Sequence, residues 1–427
     1  MLSELSAFLS LLRDSAPLVH CITNRVTMND CANILLAAGA RPIMADDPDE
    51  CAEITAISRG LCINIGTLDK AKIPGMLASG RAANRLGLPI LLDPVGVGAS
   101  RLRTETALKI ISELSLTAIR MNRSELMSLV ASLDEAGVTA DNITARGNHE
   151  RECAVRCGGV DSVGDTDDID KVTGVSLRLS RKVGAVVIVT GAVDVVADAA
   201  CGRVLLIRNG DSRMRKVTGC GCMLSALCTA YFAAANDKVK FASNEPAKPA
   251  TNELVMSAMN ESAESTLNVP AKSVANEPVK FASNEPVKSA ANEPAKSVSN
   301  EPVRLASNEP VKFAVNEPAK SASNESAKSV ANELAKSVVN ESANSVSHPA
   351  EKSTARLYAA AAAVTAMGVS GELAATRMGE LDGSASLRTY LIDAIYNLSV
   401  EQLERFARVG EYIHSDIAVT QNNEVTQ

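Results

Sequence analysis

Short, uninterrupted apolar runs alternate along this chain with stretches whose apolar residues recur at helical spacing. Pro17–Ile22, Leu61–Ile65, Pro89–Asp93, Ala118–Arg120 and Ala185–Thr190 are brief and apolar, with few polar interruptions. Runs of that length without an alternating polar face predict strands buried on both sides. Residues 29–38 and 124–133 carry the helical period instead. The alternation predicts an α/β fold with a mainly parallel central sheet and helices on both faces. Asp194–Ala197 and Arg203–Ile207 read as a hairpin appended to it. Ligands of such sheets bind outside the carboxyl ends of the strands. Asn24, Asn64, Asp93, Arg120 and Thr190 all fall there.

The pattern breaks after residue 242. From Asn244 to Asn340 every eighth residue is Asn, in thirteen copies of a unit close to Asn-Glu-Pro-Val-Lys-Ser-Ala-Ser. A period of eight fits neither a heptad nor a solenoid unit. The recurring Pro blocks a continuous helix, and single small apolar residues cannot offset the entropy of ordering. Residues 243–349 are therefore expected to be a disordered, charge-balanced insert. The expected domain is a single discontinuous one, 1–242 with 350–427. Nothing in the insert's composition names a partner for it.

Composition narrows the class. The chain has 427 residues, 43 Lys+Arg against 50 Asp+Glu, a net charge of -7, 3% aromatic residues and no Trp. That balance argues against a nucleic-acid binder, which needs clustered cations and stacking rings. No uninterrupted apolar run reaches the ~18–20 residues that span a bilayer, and Glu4 stands where a secretory signal carries Lys or Arg. A cytoplasmic protein with no membrane or nucleic-acid partner is expected. The ten cysteines include no CxxC pair, and with four His no zinc spacing emerges. Free, mostly buried thiols are the expectation.

Three segments have candidate chemistry. Val217-Thr-Gly-Cys-Gly-Cys222 precedes a long apolar stretch, so backbone N–H groups and a helix N-terminus converge where an anion can sit. It is also an ordinary glycine turn, and no Walker A sequence occurs. Asn122-Arg-Ser-Glu125 follows a strand. Its carboxylate can hold Mg²⁺ through water beside an Arg120 that meets phosphate, or the pair can simply cap a helix. Leu92-Asp93-Pro94-Val95-Gly96 sets an acid at a strand tip, as a loop residue or as a ligand.

Their order carries more than any one of them. His20-Cys-Ile-Thr-Asn24, Ile63-Asn-Ile-Gly-Thr-Leu68, Leu92-Asp-Pro-Val-Gly-Val-Gly98, Ile119-Arg-x-Asn-x-Ser-Glu125, Val189-Thr-Gly-x-Val-Asp194 and Gly219-x-Gly-Cys222 follow one another. Together they closely resemble the hydroxyethylthiazole kinases, thiamin-salvage enzymes of the ribokinase-like superfamily. The resemblance spans roughly residues 10–235 and, more weakly, 352–400. It implies a ribokinase-like homotrimer with sites at subunit interfaces, which phosphorylates 5-(2-hydroxyethyl)-4-methylthiazole from ATP. It implies Met44, Asn24 and Gly219 at the thiazole, and Arg120 and Thr190 at ATP. Asp93 and Glu125 would hold Mg²⁺, and Cys222 would stand where sugar kinases of the superfamily carry an Asp base.

A Cys at a helix N-terminus is expected to have a lowered pKa and to accept a proton late. Two departures from the family pattern stand beside these residues. Met121 replaces a usual Gly, adding bulk beside Arg120 or pointing into the core, and Cys220 replaces a Thr. The stretch Arg146–Cys157 is longer than the pattern needs. Two other readings stay open: a related kinase acting on the pyrimidine half of thiamin, and a non-catalytic scaffold whose functional part is the insert.

Overall fold

The computed structural model describes residues 1–137, 169–242 and 349–412. The octapeptide segment, Arg146–Cys157 and the cysteines at 153 and 157 lie outside them. The chain divides into one unit of Met1–Leu267 with Ser345–Gln427 and a second, Asn268–Asn344, outside the described residues. The sheet and its helices belong to the first unit.

Nine strands form one sheet: β1 Leu18–Ile22, β2 Arg41–Ile43, β3 Gly60–Asn64, β4 Ile90–Asp93, β5 Ala118–Asn122, β6 Val186–Thr190, β7 Asp194–Asp198, β8 Arg203–Ile207 and β9 Val409–Glu411. Their spatial order is β2-β1-β3-β4-β5-β6-β7-β8-β9. The first six are parallel, and β7, β8 and β9 continue the sheet antiparallel. The expected strands and hairpin are all present. β5 runs two residues beyond the expected Arg120, while β2 and β9, each three residues long, were not foreseen.

The helices are α1 Leu2–Ser15, α2 Met28–Ala38, α3 Cys51–Ile57, α4 Ile73–Arg85, α5 Arg101–Glu113, α6 Arg123–Glu135, α7 Ile169–Val183, α8 Cys220–Ala242, α9 Pro349–Arg377, α10 Ser384–Asn397 and α11 Val400–Phe406. They cover both faces and create two cores. One gathers Cys21, Cys62, Leu91, Ala118, Val186 and Ile188 with α1, α2 and α8 to α11. The other gathers Ile22, Ile63, Leu92, Ile119, Met121, Val187 and Val189 with α4 to α7. Burial on both faces is why the strands read as continuous apolar runs.

The strand period of two then fixes where the polar strand ends point. Asn64 has the parity of Cys62, Asp93 that of Leu91, Arg120 that of Ala118, and Thr190 that of Ile188. All four therefore lie on the α8 face. Gly60 lets α8 settle there, since a Cβ on it would stand 3.1 Å from Thr229 Cγ2.

One long apolar helix bears on the expectation of no membrane partner. Helix Lys352–Arg377 is long and apolar enough by length and composition to cross a membrane, although no uninterrupted apolar run is. In the fold, 83% of its apolar window is buried. Its alanines, Ala359 to Ala363, are all fully buried in the same core as α8. Small side chains make this a closely packed core helix, which passes the same composition test as a membrane span.

Candidate active site

Asp93 is the centre. It ends β4, pairs in register with Asn64 of β3, and is fully buried. Its Oδ2 accepts from Asn64 Nδ2 at 2.8 Å and from the Ser225 hydroxyl at 2.7 Å. Its Oδ1 is buried without a hydrogen-bond partner, with Arg120 Nη1 3.7 Å away. Burial pushes the Asp93 carboxyl up to about 6; Arg120 opposes that rise and the negative charge of Glu125 adds to it.

Arg120 is nearly as deep, its side chain 11% exposed. Its Nη2 donates to Thr190 Oγ1 at 2.7 Å across the neighbouring strand, while Nε is buried without a partner. Gly221, in the first turn of α8, passes directly over the guanidinium. A Cβ there would stand 2.4 Å from Arg120 Nη1. Gly219 has φ +90, and a Cβ on it would meet Thr27 Cγ2 at 2.6 Å. The two glycines are thus required by close approach and by left-handed backbone, respectively.

Cys222 Sγ accepts from Asn24 Nδ2 at 3.0 Å and Asn64 Nδ2 at 3.3 Å. Asn24 Oδ1 gathers the N–H groups of Val26 and Thr27 and the Thr27 hydroxyl, which folds the turn after β1 toward Gly219. The expected lowering of the Cys222 pKa is not what this setting produces. Burial raises it first and the Asp93 charge raises it further, against hydrogen bonding and Arg120. The helix-terminus argument fails here because desolvation outweighs the terminus. Cys220 is pushed up to about 12 by burial.

Glu125 forms a capping box with Asn122 at the start of α6. Asn122 Oδ1 accepts from Glu125 N at 2.9 Å, and Glu125 Oε2 accepts from Asn122 N at 2.9 Å. The other oxygen, Oε1, accepts from Gly96 N at 2.8 Å. The capping geometry is therefore present, with both carboxylate oxygens engaged by backbone donors.

Met44 follows β2 at the outer end of the strand row and is half-buried against the α8-side core. Its neighbour Ala45 accepts from His20 Nε2 at 2.8 Å, and Asp46 pairs with Lys72. Because a carbonyl cannot donate, His20 carries its proton on Nε2, and the Thr55 hydroxyl serves Nδ1 at 2.8 Å. Burial lowers the His20 pKa to about 4. Met121 is fully buried in the opposite core, so its bulk points away from Arg120.

The structure thus brings together Asn24, Asn64, Asp93, Arg120, Thr190 and Cys222 by direct contact. Gly219 joins through Thr27. The roles of Ser225 and Thr27 were missed, and Asn64 was noted only as a strand end. Spacing held a usable signal for Ser225, which lies one helical turn beyond Gly221 on the same face. A cleft of about 640 Å³ lined by Arg25, Thr67, Lys70 and Arg103 opens at the same strand ends.

A sheet whose strand ends converge on a buried carboxylate, a buried arginine and a glycine turn suits phosphate chemistry, and comparison decides which. The sequence model of the hydroxyethylthiazole kinase family matches residues 9–254. This chain belongs to the hydroxyethylthiazole kinase family. The hydroxyethylthiazole kinase of Clostridium acetobutylicum is 48% identical over 225 residues, covering 53% of this chain and 76% of the relative. That of Methanosphaerula palustris is 42% identical over 240 residues, 56% of this chain and 80% of the relative. The solved structure of the Pyrococcus horikoshii OT3 hydroxyethylthiazole kinase protein has the same fold, with a TM-score of 0.57 at 23% identity, over 96% of this chain and 99% of that one. The family's matched span holds every one of these candidate residues.

Proposed function

We propose that this chain transfers a phosphoryl group from ATP to the hydroxyl of 5-(2-hydroxyethyl)-4-methylthiazole, in the thiamin biosynthesis its family serves. The observation that carries this reading is the family match over 9–254, which spans the strand-end cluster around Asp93. Phosphoryl transfer to an alcohol passes through a loose transition state and needs alignment and charge neutralisation more than a strong base. Arg120, held by Thr190, meets the phosphates. The N–H groups of the first turn of α8 add partial positive charge there.

The residues fit Mg²⁺. A buried carboxylate oxygen without a hydrogen bond is the hard ligand such an ion takes, usually with waters and substrate phosphates completing the shell. Among the described residues no three His, Cys, Asp or Glu are grouped to hold a metal by themselves. Asp93 would therefore hold the ion together with the phosphates, with Glu125 lending its charge through water. When bound, Mg²⁺ neutralises the phosphate charge.

Asn24, Met44 and Gly219 border the thiazole. Cys222, kept as a thiol by burial, hydrogen-bonds and orients the acceptor hydroxyl, whose proton passes late to an oxygen of the transferred phosphoryl group. The enzyme works as a cytoplasmic homotrimer whose sites lie at subunit interfaces. Its kinase domain is discontinuous, 1–242 with 350–427, interrupted in sequence by the octapeptide-repeat insert 243–349. The test is an ATP-dependent phosphorylation assay with hydroxyethylthiazole, hydroxymethylpyrimidine and pyridoxal side by side. Preference for the thiazole supports the reading, and preference for another acceptor overturns it.

A further inference from the structure

We infer that Ser225 and Asn64 are positioning residues that select which oxygen of Asp93 faces the metal. The inference rests on the reading that Asp93 holds Mg²⁺. A carboxylate torsion is soft and nearly two-fold, so a free Asp presents either oxygen in many orientations. Here two donors, on two different elements, converge on the same atom. Asn64 Nδ2 reaches Oδ2 from the adjacent strand at 2.8 Å, and the Ser225 hydroxyl reaches it from α8 at 2.7 Å.

The donors are themselves committed. Ser225 has one proton, and its Oγ lies closer to Asp93 than to the Gly221 carbonyl at 3.2 Å. Asn64 Oδ1 accepts from Gly66 N at 2.9 Å and from Asn24 Nδ2 at 3.2 Å, which orients its amide with both N–H groups toward Asp93 and Cys222. All three side chains are nearly or fully buried, so water does not compete for these bonds. Oδ2 is thereby taken, and Oδ1 is left as the carboxylate's buried oxygen without a hydrogen bond, facing Arg120 Nη1 at 3.7 Å. Partners that orient a metal-binding carboxylate commonly change metal affinity when removed.

The experiment measures Mn²⁺ affinity in the presence of ADP, from the free-ion electron paramagnetic resonance signal of the full chain, without turnover. Ser225→Ala and Asn64→Ala are expected to weaken Mn²⁺ binding roughly 10- to 100-fold. ADP affinity in excess chelator should stay unchanged, and Ser225→Thr should restore Mn²⁺ binding. Should Asn64→Ala not fold, Ser225→Ala, a loss of one hydroxyl in a helix, decides alone. Unchanged Mn²⁺ affinity in Ser225→Ala, with or without a lower metal-free melting temperature, would overturn the inference. Asp93→Asn separates the two layers. If it too leaves Mn²⁺ affinity unchanged, the metal reading of Asp93 has failed; if it alone weakens binding, only the positioning inference has failed.

Discussion

Two carboxylates sit at neighbouring strand ends of this sheet, and the protein treats them oppositely. Glu125 gives both oxygens to backbone N–H groups, one in its own capping box and one in the loop after β4. Asp93 gives one oxygen to two side chains and leaves the other without a hydrogen bond, 3.7 Å from Arg120 Nη1. Backbone donors are fixed by the fold and serve it, so Glu125 ties the start of α6 to the Gly96 turn. Side-chain donors aimed at one oxygen leave the second available at a cost in desolvation, which is why the Asp93 carboxyl is pushed up to about 6. The lesson is that equal sequence signals, an acid after a strand, can be told apart only when each oxygen is accounted for: one of Asp93's is free of hydrogen bonds, while both of Glu125's are held by backbone N–H groups.

The largest expected effect follows from Asp93→Asn. It removes the open carboxylate and should lower turnover by two to three orders of magnitude, on the order of 3–4 kcal/mol of transition-state stabilisation. The fold should survive, as circular dichroism would check. A rate within tenfold of the parent would erase the distinction between the two acids.

A pH series of metal-free stability sharpens it. The folded Asp93 pKa lies above the ordinary 3.8. Between about 4 and 6 the native state therefore holds more protons than the unfolded one, and this group's contribution falls as pH rises. His20 has the opposite sign. Its pKa drops from 6.5 to about 4, so its contribution is complete above 6.5 and is lost as pH falls toward 4. The two oppose each other in one window. Denaturant melts of Asp93→Asn should therefore gain stability with pH more steeply than the parent, by roughly 2–3 kcal/mol across that window. Parallel curves would mean that Asp93 is not desolvated as described.

Glu125→Gln should act mainly on stability. An amide can accept with only one atom, so a buried backbone N–H loses its partner at a cost of about 1–3 kcal/mol. Turnover at saturating Mg²⁺ should fall at least tenfold less than in Asp93→Asn. A rate loss equal to that of Asp93→Asn, without a lower melting temperature, would make Glu125 the chemical residue and reverse the comparison.

The smallest effect is expected at the insert. Replacing 243–349 by a short Gly/Ser linker should leave the thiazole kinase rate unchanged and stability within about 1 kcal/mol, since loop closure depends only logarithmically on length. Lost activity would mean that the segment supports the strand-end site.

Much of this fold was legible because its strands are buried on both faces. Val186–Val189 and Ile90–Leu92 have no polar interruption, and that pattern admits little else. β2 and β9 were not legible for the converse reason. Arg41-Pro-Ile43 and Val409-Gly-Glu411 lie at the sheet's two edges, are three residues long, and have no apolar run. Tertiary partners define β9 instead, through the Arg203–Glu411 ion pair and the Tyr412 N–H to the Val204 carbonyl. At the site, Asp93 and Arg120 could be chosen because acids and arginines at strand ends are chemically conspicuous. For Ser225 the spacing from Gly221 marks only the helix face, since its meaning lies in an oxygen 132 residues away in the chain. The Cys222 pKa was misjudged for a related reason. A helix terminus is visible in sequence, but the burial that outweighs it is not.

The most direct test combines acceptor and carboxylate in one measurement: phosphoryl transfer from ATP, with Mg²⁺, by the parent chain and by Asp93→Asn, with hydroxyethylthiazole and hydroxymethylpyrimidine in competition. The parent should label the thiazole at least tenfold faster, about 1.4 kcal/mol of discrimination, and Asp93→Asn should label neither appreciably. Preferential labelling of the pyrimidine, or undiminished thiazole labelling by Asp93→Asn, would contradict the assignment of Asp93 to a thiazole kinase site.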